Sequence, residues 1–191
     1  MGVFEYLGVL VSVIMGFGIT HIATGATKLI QHRDGVRFYW PHSLWTVNIL
    51  MHIMMIWWGM FWWSKLEDWS AFGYMFIAIY AVALFFNASM LYPWDMDKDI
   101  DVREYFYRNR RWFFGAQLVA WLIDIPETVS KQSAGLRDVP ADYGIFVGIM
   151  LSIAAAGWIS GNRVLHGILP VAWFIVIAYY VFLSAVGQIN A

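Results

Sequence analysis

Residues 71–92 read AFGYMFIAIYAVALFFNASMLY and contain no Asp, Glu, Lys or Arg. A helix rises about 1.5 Å per residue, so this stretch is long enough to cross the roughly 30 Å hydrocarbon core of a bilayer. Backbone groups in lipid must pair within their own segment, which favours a helix over an extended chain. The stretch therefore predicts a transmembrane helix.

Apolar stretches of similar length lie on both sides of it, at about 3–30, 38–63, 112–130, 143–160 and 164–188. They are continuously apolar rather than alternating, so a β-barrel is not expected. The loops between them are short and leave no room for a soluble domain. The sequence predicts an all-α, multi-pass membrane protein, with residues 1–191 forming a single transmembrane domain of six helices.

The composition of the whole chain supports this class of protein. Of its residues 61% are hydrophobic and 13% are charged, against about 45–50% and 25% in soluble domains. The net charge of −1 lacks the basic excess of a nucleic-acid binder. The absence of cysteine excludes disulfides, thiolate nucleophiles and cysteine-based metal sites.

The basic residues are distributed unevenly between the two sides of the predicted bundle. Nine lie on one side: Lys28, Arg33, Arg37, Lys98, Arg103, Arg108, Arg110, Arg111 and Arg163. Three lie on the other: Lys65, Lys131 and Arg137. Because cytoplasmic loops carry an excess of Lys and Arg, the first side is predicted to be cytoplasmic, with both termini on the opposite side. We expect an integral protein of the plasma membrane, the inner membrane in a bacterium.

Two predicted helices carry small or polar residues at every fourth position. The first ladder is Gly8, Ser12, Gly16, Thr20, Thr24 and Lys28; the second is Gly144, Gly148, Ser152, Ala156 and Ser160. Small residues at this spacing let helix backbones approach closely. We interpret the ladders as packing faces, within one protomer or between protomers, and a homo-oligomer or a partner membrane subunit is expected. A hydroxyl-lined path is the alternative.

Polar residues inside the predicted spans are functional candidates because they are costly in lipid. The set comprises Ser12, Thr20, His21, Asn48, His52, Asn87, Gln117, Asp124, Glu127 and Ser152, with Glu5 at the start of the first span. The acidic members are predicted to lie on the non-cytoplasmic side, where the formal charge of the loops and helix ends is −4. Carboxylates there and imidazoles deeper in suggest a channel or transporter for protons or a small cation.

Two other functions remain open from the sequence. His21 and His52 are candidate axial ligands of one b-type haem, because their predicted depths differ by only about 5 Å. Alternatively, the chain is a structural or accessory subunit that docks on a larger complex through its small-residue faces. The sequence has no metal-ligand spacing such as His-x-x-x-His and no convincing catalytic constellation, so an enzyme is not favoured.

The loop before the fourth span is rich in charge. Asp97, Asp99 and Asp101 are predicted to pair with nearby arginines in a short helix beside the membrane. Ile100 and Phe106 occupy positions where a calcium loop needs Gly and Glu, so no metal is expected. The basic end of this helix is predicted to contact lipid headgroups through Arg108, Arg110 and Arg111.

Overall fold

The computed structural model describes residues 2–96 and 100–189, and for residues 183–189 it describes the backbone alone. The described chain forms six helices and no strand, which confirms the predicted all-α fold. The helices are α1 (Val3–Gln31), α2 (Trp40–Gly59), α3 (Ala71–Ser89), α4 (Val102–Ser133), α5 (Tyr143–Ile159) and α6 (Arg163–Ile189). A 3-10 helix, Met60–Lys65, extends α2.

Helix α4 is longer than the predicted span because it begins ten residues earlier. Asp101 caps its N-terminus, where its Oδ1 accepts from the Glu104 N–H at 2.9 Å. The predicted juxtamembrane helix is therefore the first part of α4. Asp101 also lies 3.5 Å from the Arg37 guanidinium, so its observed partner is in the first loop. The predicted pairing of Asp97 and Asp99 lies outside the described residues.

Helices α1 and α2 have their main partners elsewhere in the chain, whereas α3, α4 and α5 pack in chain order. The main partner of α1 is α3, that of α2 is α6, and α4 lies between α3 and α5. Contacts join the C-terminal ends of α1, α3 and α5 to the N-terminal ends of α2, α4 and α6. We call this side, which includes Arg37, Arg103 and Arg163, the basic end; the other side, which includes Glu67 and Asp138, is the acidic end.

Four of the helical segments are long and apolar enough to cross a membrane: Val3–Gln31, Trp40–Lys65, Ala71–Ser89 and Arg163–Phe182. Helix α5 is apolar but shorter, with 17 residues. The bundle also exposes large apolar side chains, including Phe72 and Val164 at 81% and 72% exposure. Such a surface is unfavourable in water and favourable in lipid.

Three tryptophans form the centre of the bundle. Trp45 on α2, Trp121 on α4 and Trp173 on α6 are fully buried. The Trp173 ring lies 5.5 Å from each of the other two, with interplanar angles of 64° and 63°. Indole rings at this distance and angle bury much apolar surface and fix the relative positions of the three helices.

Candidate functional site

The most polar part of the interior lies on α4 towards the acidic end, where Asp124 is buried. The Tyr80 hydroxyl on α3 donates to Asp124 Oδ1 at 2.8 Å, and the Tyr143 hydroxyl on α5 donates to Oδ2 at the same distance. Tyr143 also contacts the Asp124 backbone carbonyl at 3.2 Å. This carboxyl group accepts at both oxygens and links three helices.

One turn further along α4 is a buried ion pair. Glu127 Oε1 lies 2.6 Å from Lys131 Nζ and also accepts from the Trp63 indole N–H at 2.8 Å. The glutamate and lysine side chains are 4% and 7% exposed. Charges removed from water are stable only when they are paired and hydrogen-bonded. Glu127 and Lys131 meet that condition, because they pair with each other and Glu127 also accepts a hydrogen bond from Trp63.

A cavity of about 50 Å³ adjoins these charged residues. Its lining includes Asp124, Glu127, Lys131 and Arg137, together with apolar residues of α2 and the ring of Phe146. A cavity of this size with several polar partners can hold a water molecule. Water there would connect the carboxyl group of Asp124 with the Glu127–Lys131 pair.

Towards the middle of the bundle, His52 on α2 stacks on Trp121 of α4. Their ring centroids are 4.5 Å apart and their planes differ by 6°. His52 is fully buried, and neither of its ring nitrogens has a hydrogen-bond partner among the described residues. The same is true of both amide atoms of Gln117, one turn before Trp121. Buried polar groups without partners carry a free-energy penalty that water relieves.

The buried residues of α4 share one face of the helix. Gln117, Trp121, Asp124 and Lys131 follow one another at intervals of four, three and seven residues, the spacing of an inward-facing helical stripe. From Gln117 to Lys131 this stripe is about 21 Å long, because each residue adds about 1.5 Å. Helix α4 contains Pro126 and continues for seven residues beyond it.

The two buried asparagines join helices through the backbone. Asn48 Nδ2 donates to the Pro170 carbonyl of α6 at 2.8 Å, and Asn87 Nδ2 donates to the Phe113 carbonyl of α4 at 3.0 Å. The Oδ1 atom of each amide has no partner among the described residues. Each asparagine thus fixes a helix pair and leaves one acceptor for water.

At the basic end, three imidazoles bind carbonyls at the ends of helices. Nε2 of His21 and of His42 lie 3.0 Å and 2.7 Å from the carbonyls of Tyr92 and Leu91, just beyond α3. His166 Nε2 lies 2.8 Å from the carbonyl of Ser160, at the end of α5. Since a carbonyl only accepts, each Nε2 carries the hydrogen. These histidines satisfy backbone acceptors in the turns that follow α3 and α5.

Tyr105 adds a further contact to the turn after α3. Its hydroxyl donates to the Met90 carbonyl at 3.4 Å. Burial raises the pKa of Tyr105 above its ordinary value, and the nearby Arg108 acts in the opposite direction. The hydroxyl therefore keeps its proton and remains a donor to the turn.

His21 and His52 pack in different surroundings. The Nε2 atom of His21 is engaged by Tyr92, and its ring lies 4.4 Å from that of Trp94. His52 is covered on one face by Trp121. A haem ligated through Nε2 of His21 would require that atom to lose its carbonyl, whereas the stacked Trp121 ring leaves both nitrogens of His52 without a partner. As placed, His21 does not offer Nε2 to a haem iron. No cluster of three or more metal-ligating side chains occurs within 2–96 and 100–189.

The remaining candidates lie outside the buried polar stripe of α4. Ser12 and Ser152 donate to the carbonyls of Gly8 and Gly148 in their own helices, and Thr20 is exposed. Glu5 is exposed at the start of α1, where it accepts from the Gly2 N–H at 3.0 Å. The structure brings none of these four into the stripe.

The small-residue ladders face outward. A Cβ atom added at Gly8, Gly16, Gly144 or Gly148 would meet no described atom within 4 Å. By contrast, a Cβ at Gly25 would collide with the Tyr92 ring, and one at Gly157 with the Phe114 ring. The close contacts within the protomer therefore occur at glycines outside the ladders. Ala156 of the second ladder differs from the ladder glycines, because it packs against the core.

The three arginines predicted to contact headgroups are all at the basic end. Arg108 and Arg111 are exposed, whereas Arg110 is half-buried beside the α5–α6 turn at Gly161.

Several residues of the site were not predicted from the sequence. Tyr80 lies seven residues before Asn87 on α3, so the two polar side chains share a face, and that spacing is a usable signal. Lys131 follows Glu127 by four residues, which is the spacing of a helical ion pair. His42 and His166 offer no comparable signal, because their partners are carbonyls of turns.

Compared with protein-family models, with curated proteins and with solved structures, the chain has no significant match.

Proposed function

We propose that this protein conducts protons across the plasma membrane through the buried polar stripe of α4. The observation that carries the proposal is that Gln117, Asp124 and Lys131 share an inward face of α4, with His52 stacked beside it. Ionisable groups inside a membrane protein are costly, and they typically mark a path for protons or ions.

The path requires the bundle to lie across the bilayer. All six helices would span the membrane. Four spans are the long apolar segments, and the other two are α5 and the apolar part of α4. The exposed apolar side chains would face lipid. The excess of Lys and Arg at the basic end supports a cytoplasmic location for that end, with both termini on the other side.

The polar groups of the stripe and those beside it can take part in proton transfer. Asp124 and Glu127 would receive a proton near the acidic end, at the cavity that they line. His52 has two ring nitrogens without partners, so one can accept a proton while the other donates one. Water bound to Gln117 and to the free Oδ1 atoms of Asn48 and Asn87 would continue the relay towards the basic end.

A proton is favoured over a metal cation by the ligands available. The two carboxyl groups of the cluster are already occupied, one by two tyrosines and the other by Lys131 and Trp63. A cation such as Na⁺ or K⁺ would need several free oxygen ligands in place of its water. A proton needs only one accepting atom at each step.

Flux into liposomes tests this proposal. The purified protein is reconstituted around a pH-sensitive dye, and a K⁺ gradient with valinomycin drives protons inward. Wild-type liposomes should acidify rapidly. Asp124→Asn and His52→Leu should each lower the rate to that of protein-free liposomes, because each removes a titratable group from the proposed path, Asp124 in the stripe and His52 beside it. Melting temperatures in detergent confirm that the variants are folded.

Matched controls are available at the surface. Asp142→Asn and His32→Leu make the same chemical changes in an exposed and a half-buried loop position, and both should keep the wild-type rate. Wild-type acidification no faster than that of protein-free liposomes would refute the proposal. Equal rates in wild type, Asp124→Asn and His52→Leu would also refute it.

The outward-facing ladders favour a second candidate function, that of a subunit in a larger assembly. Beside Gly144, Gly148 and Ser152 lies an open groove of about 570 Å³. Closely packed transmembrane helices commonly meet at such small residues. If the protein is a homo-oligomer or an accessory subunit, Gly16→Leu or Gly148→Leu should reduce its assembled mass in light scattering. His52→Leu should leave that mass unchanged.

A further inference from the structure

A groove of about 790 Å³ lies at the basic end, between the start of α2, the start of α4 and one side of α6. It plays no part in the proposed proton path. Tyr39, Trp40, Arg103 and Arg163 form its polar mouth. Below the mouth, its walls are apolar side chains of α6 together with Pro41. The groove is therefore amphipathic along its length.

The mouth carries two positive charges. The Arg103 guanidinium lies 5.9 Å from the centroid of the Tyr39 ring, a cation–π distance that leaves its N–H groups available. Arg163 is exposed at the first residue of α6. Within residues 2–96 and 100–189, neither arginine forms an ion pair with a carboxylate, in contrast to Arg37, which pairs with Asp101. Two guanidinium groups at one mouth are suited to a phosphate.

The apolar part has the dimensions of one membrane leaflet. Its wall on α6 runs from Val164 to Ile175, about 16 Å at 1.5 Å per residue. Half of a 30 Å hydrocarbon core is about 15 Å. Val164, Ile168 and Ile175 are 72%, 57% and 60% exposed, so the groove opens sideways towards the surface that faces lipid.

We propose that this groove is a binding site for an anionic phospholipid, with its phosphate between Arg103 and Arg163 and one acyl chain along α6. Charge complementarity selects an acidic headgroup over a zwitterionic one. The sideways opening and the apolar wall select a lipid over a water-soluble phosphate. Trp40, half-exposed at the mouth, lies where aromatic side chains contact headgroups.

Native mass spectrometry of the detergent-solubilised protein tests the site. The probes are phosphatidylglycerol and phosphatidylcholine with identical acyl chains, added in turn. Wild type should retain phosphatidylglycerol at least about tenfold more strongly, the effect of one good charge-assisted contact. Arg103→Gln with Arg163→Gln should reduce its retention to that of phosphatidylcholine. Arg33→Gln with Arg37→Gln removes the same charge from exposed positions of the same end outside the groove and should retain the preference.

A second pair of variants tests the apolar part. Ala172→Trp would fill the groove, whereas Ala178→Trp makes the same change on α6 at a residue that does not line it. Only Ala172→Trp should lower phosphatidylglycerol retention. Equal retention of both lipids by wild type, or equal loss in the two arginine pairs, would overturn the proposal. Binding of free glycerol phosphate as strong as that of the lipid would overturn it too, as would equal effects of the two tryptophan variants.

Discussion

The two ends of the bundle satisfy their buried polar groups in different ways. At the basic end, His21, His42 and His166 donate to backbone carbonyls where helices α3 and α5 finish. At the acidic end, charged side chains bind one another and tyrosine hydroxyls, as in the Glu127–Lys131 pair. The first arrangement completes the backbone, and the second keeps charge inside the protein.

This difference separates polar residues that hold the fold from those available for chemistry. An imidazole whose Nε2 donates to a backbone carbonyl has a structural task, because it holds that carbonyl in place. Buried carboxyl groups and an ammonium group have a large desolvation cost, and well-packed apolar residues would be at least as stable in their place. The residues of the acidic end are therefore the stronger candidates for function. The following substitutions test this contrast.

The largest effect is expected for Lys131→Met. It leaves the Glu127 carboxylate buried without its cation, which should lower the free energy of unfolding by about 3–5 kcal/mol. Unfolding by SDS in mixed micelles measures this change. Lys65→Met, at an exposed lysine of the same end, is the control and should have little effect. If both variants lose equal stability, the ion pair is not the cause.

A smaller effect is expected for Tyr80→Phe, which removes one hydrogen bond to Asp124. A hydrogen bond to a charged group contributes about 1.5–3 kcal/mol, and the same unfolding measurement should show a loss in this range. Tyr74→Phe is the matched control on α3, because its ring contacts Tyr6 and it is half-buried. No loss in Tyr80→Phe would contradict the account of the acidic end.

At the basic end, His42→Leu should cost about 1–3 kcal/mol, since it leaves the buried Leu91 carbonyl without a donor. His42→Gln offers an amide N–H in place of the imidazole and should recover part of this loss. A glutamine variant no more stable than the leucine variant would argue against the carbonyl contact. Proton flux should persist in both variants, because His42 lies outside the α4 stripe.

The smallest effect is expected for Arg37→Gln, which breaks the ion pair with Asp101. The arginine side chain is 83% exposed, and exposed ion pairs contribute about 0.2–1 kcal/mol. High salt should remove even this small difference in the wild type. A loss comparable to that of Lys131→Met would remove the contrast between exposed and buried charge on which the other predictions rest.

The fold could be predicted from the sequence because hydrophobic length is a local property. All six predicted apolar stretches are helical. The fourth helix is longer than its predicted span, mainly because Asp101 caps its N-terminus and the helix begins ten residues before the predicted start. Candidate residues were harder to assign, because depth along a helix does not reveal which face is buried. Thr20 and His21 are neighbours, yet one is exposed and the other bonds Tyr92. Contacts such as Trp121 on His52 depend on which helices become neighbours, a property of the whole chain.

The hydrogen bond from Asn48 to the Pro170 carbonyl has a consequence for how the protein is made. Its two residues are 122 positions apart in the sequence. At about 5–20 residues per second, the ribosome needs roughly 6–24 s to reach Pro170 after Asn48. During that interval, α2 must remain in the membrane or at the insertion machinery with Asn48 uncovered. Helix α2 therefore lacks its partner α6 for several seconds during biogenesis. A chain truncated before α6 should leave α2 exposed to membrane proteases.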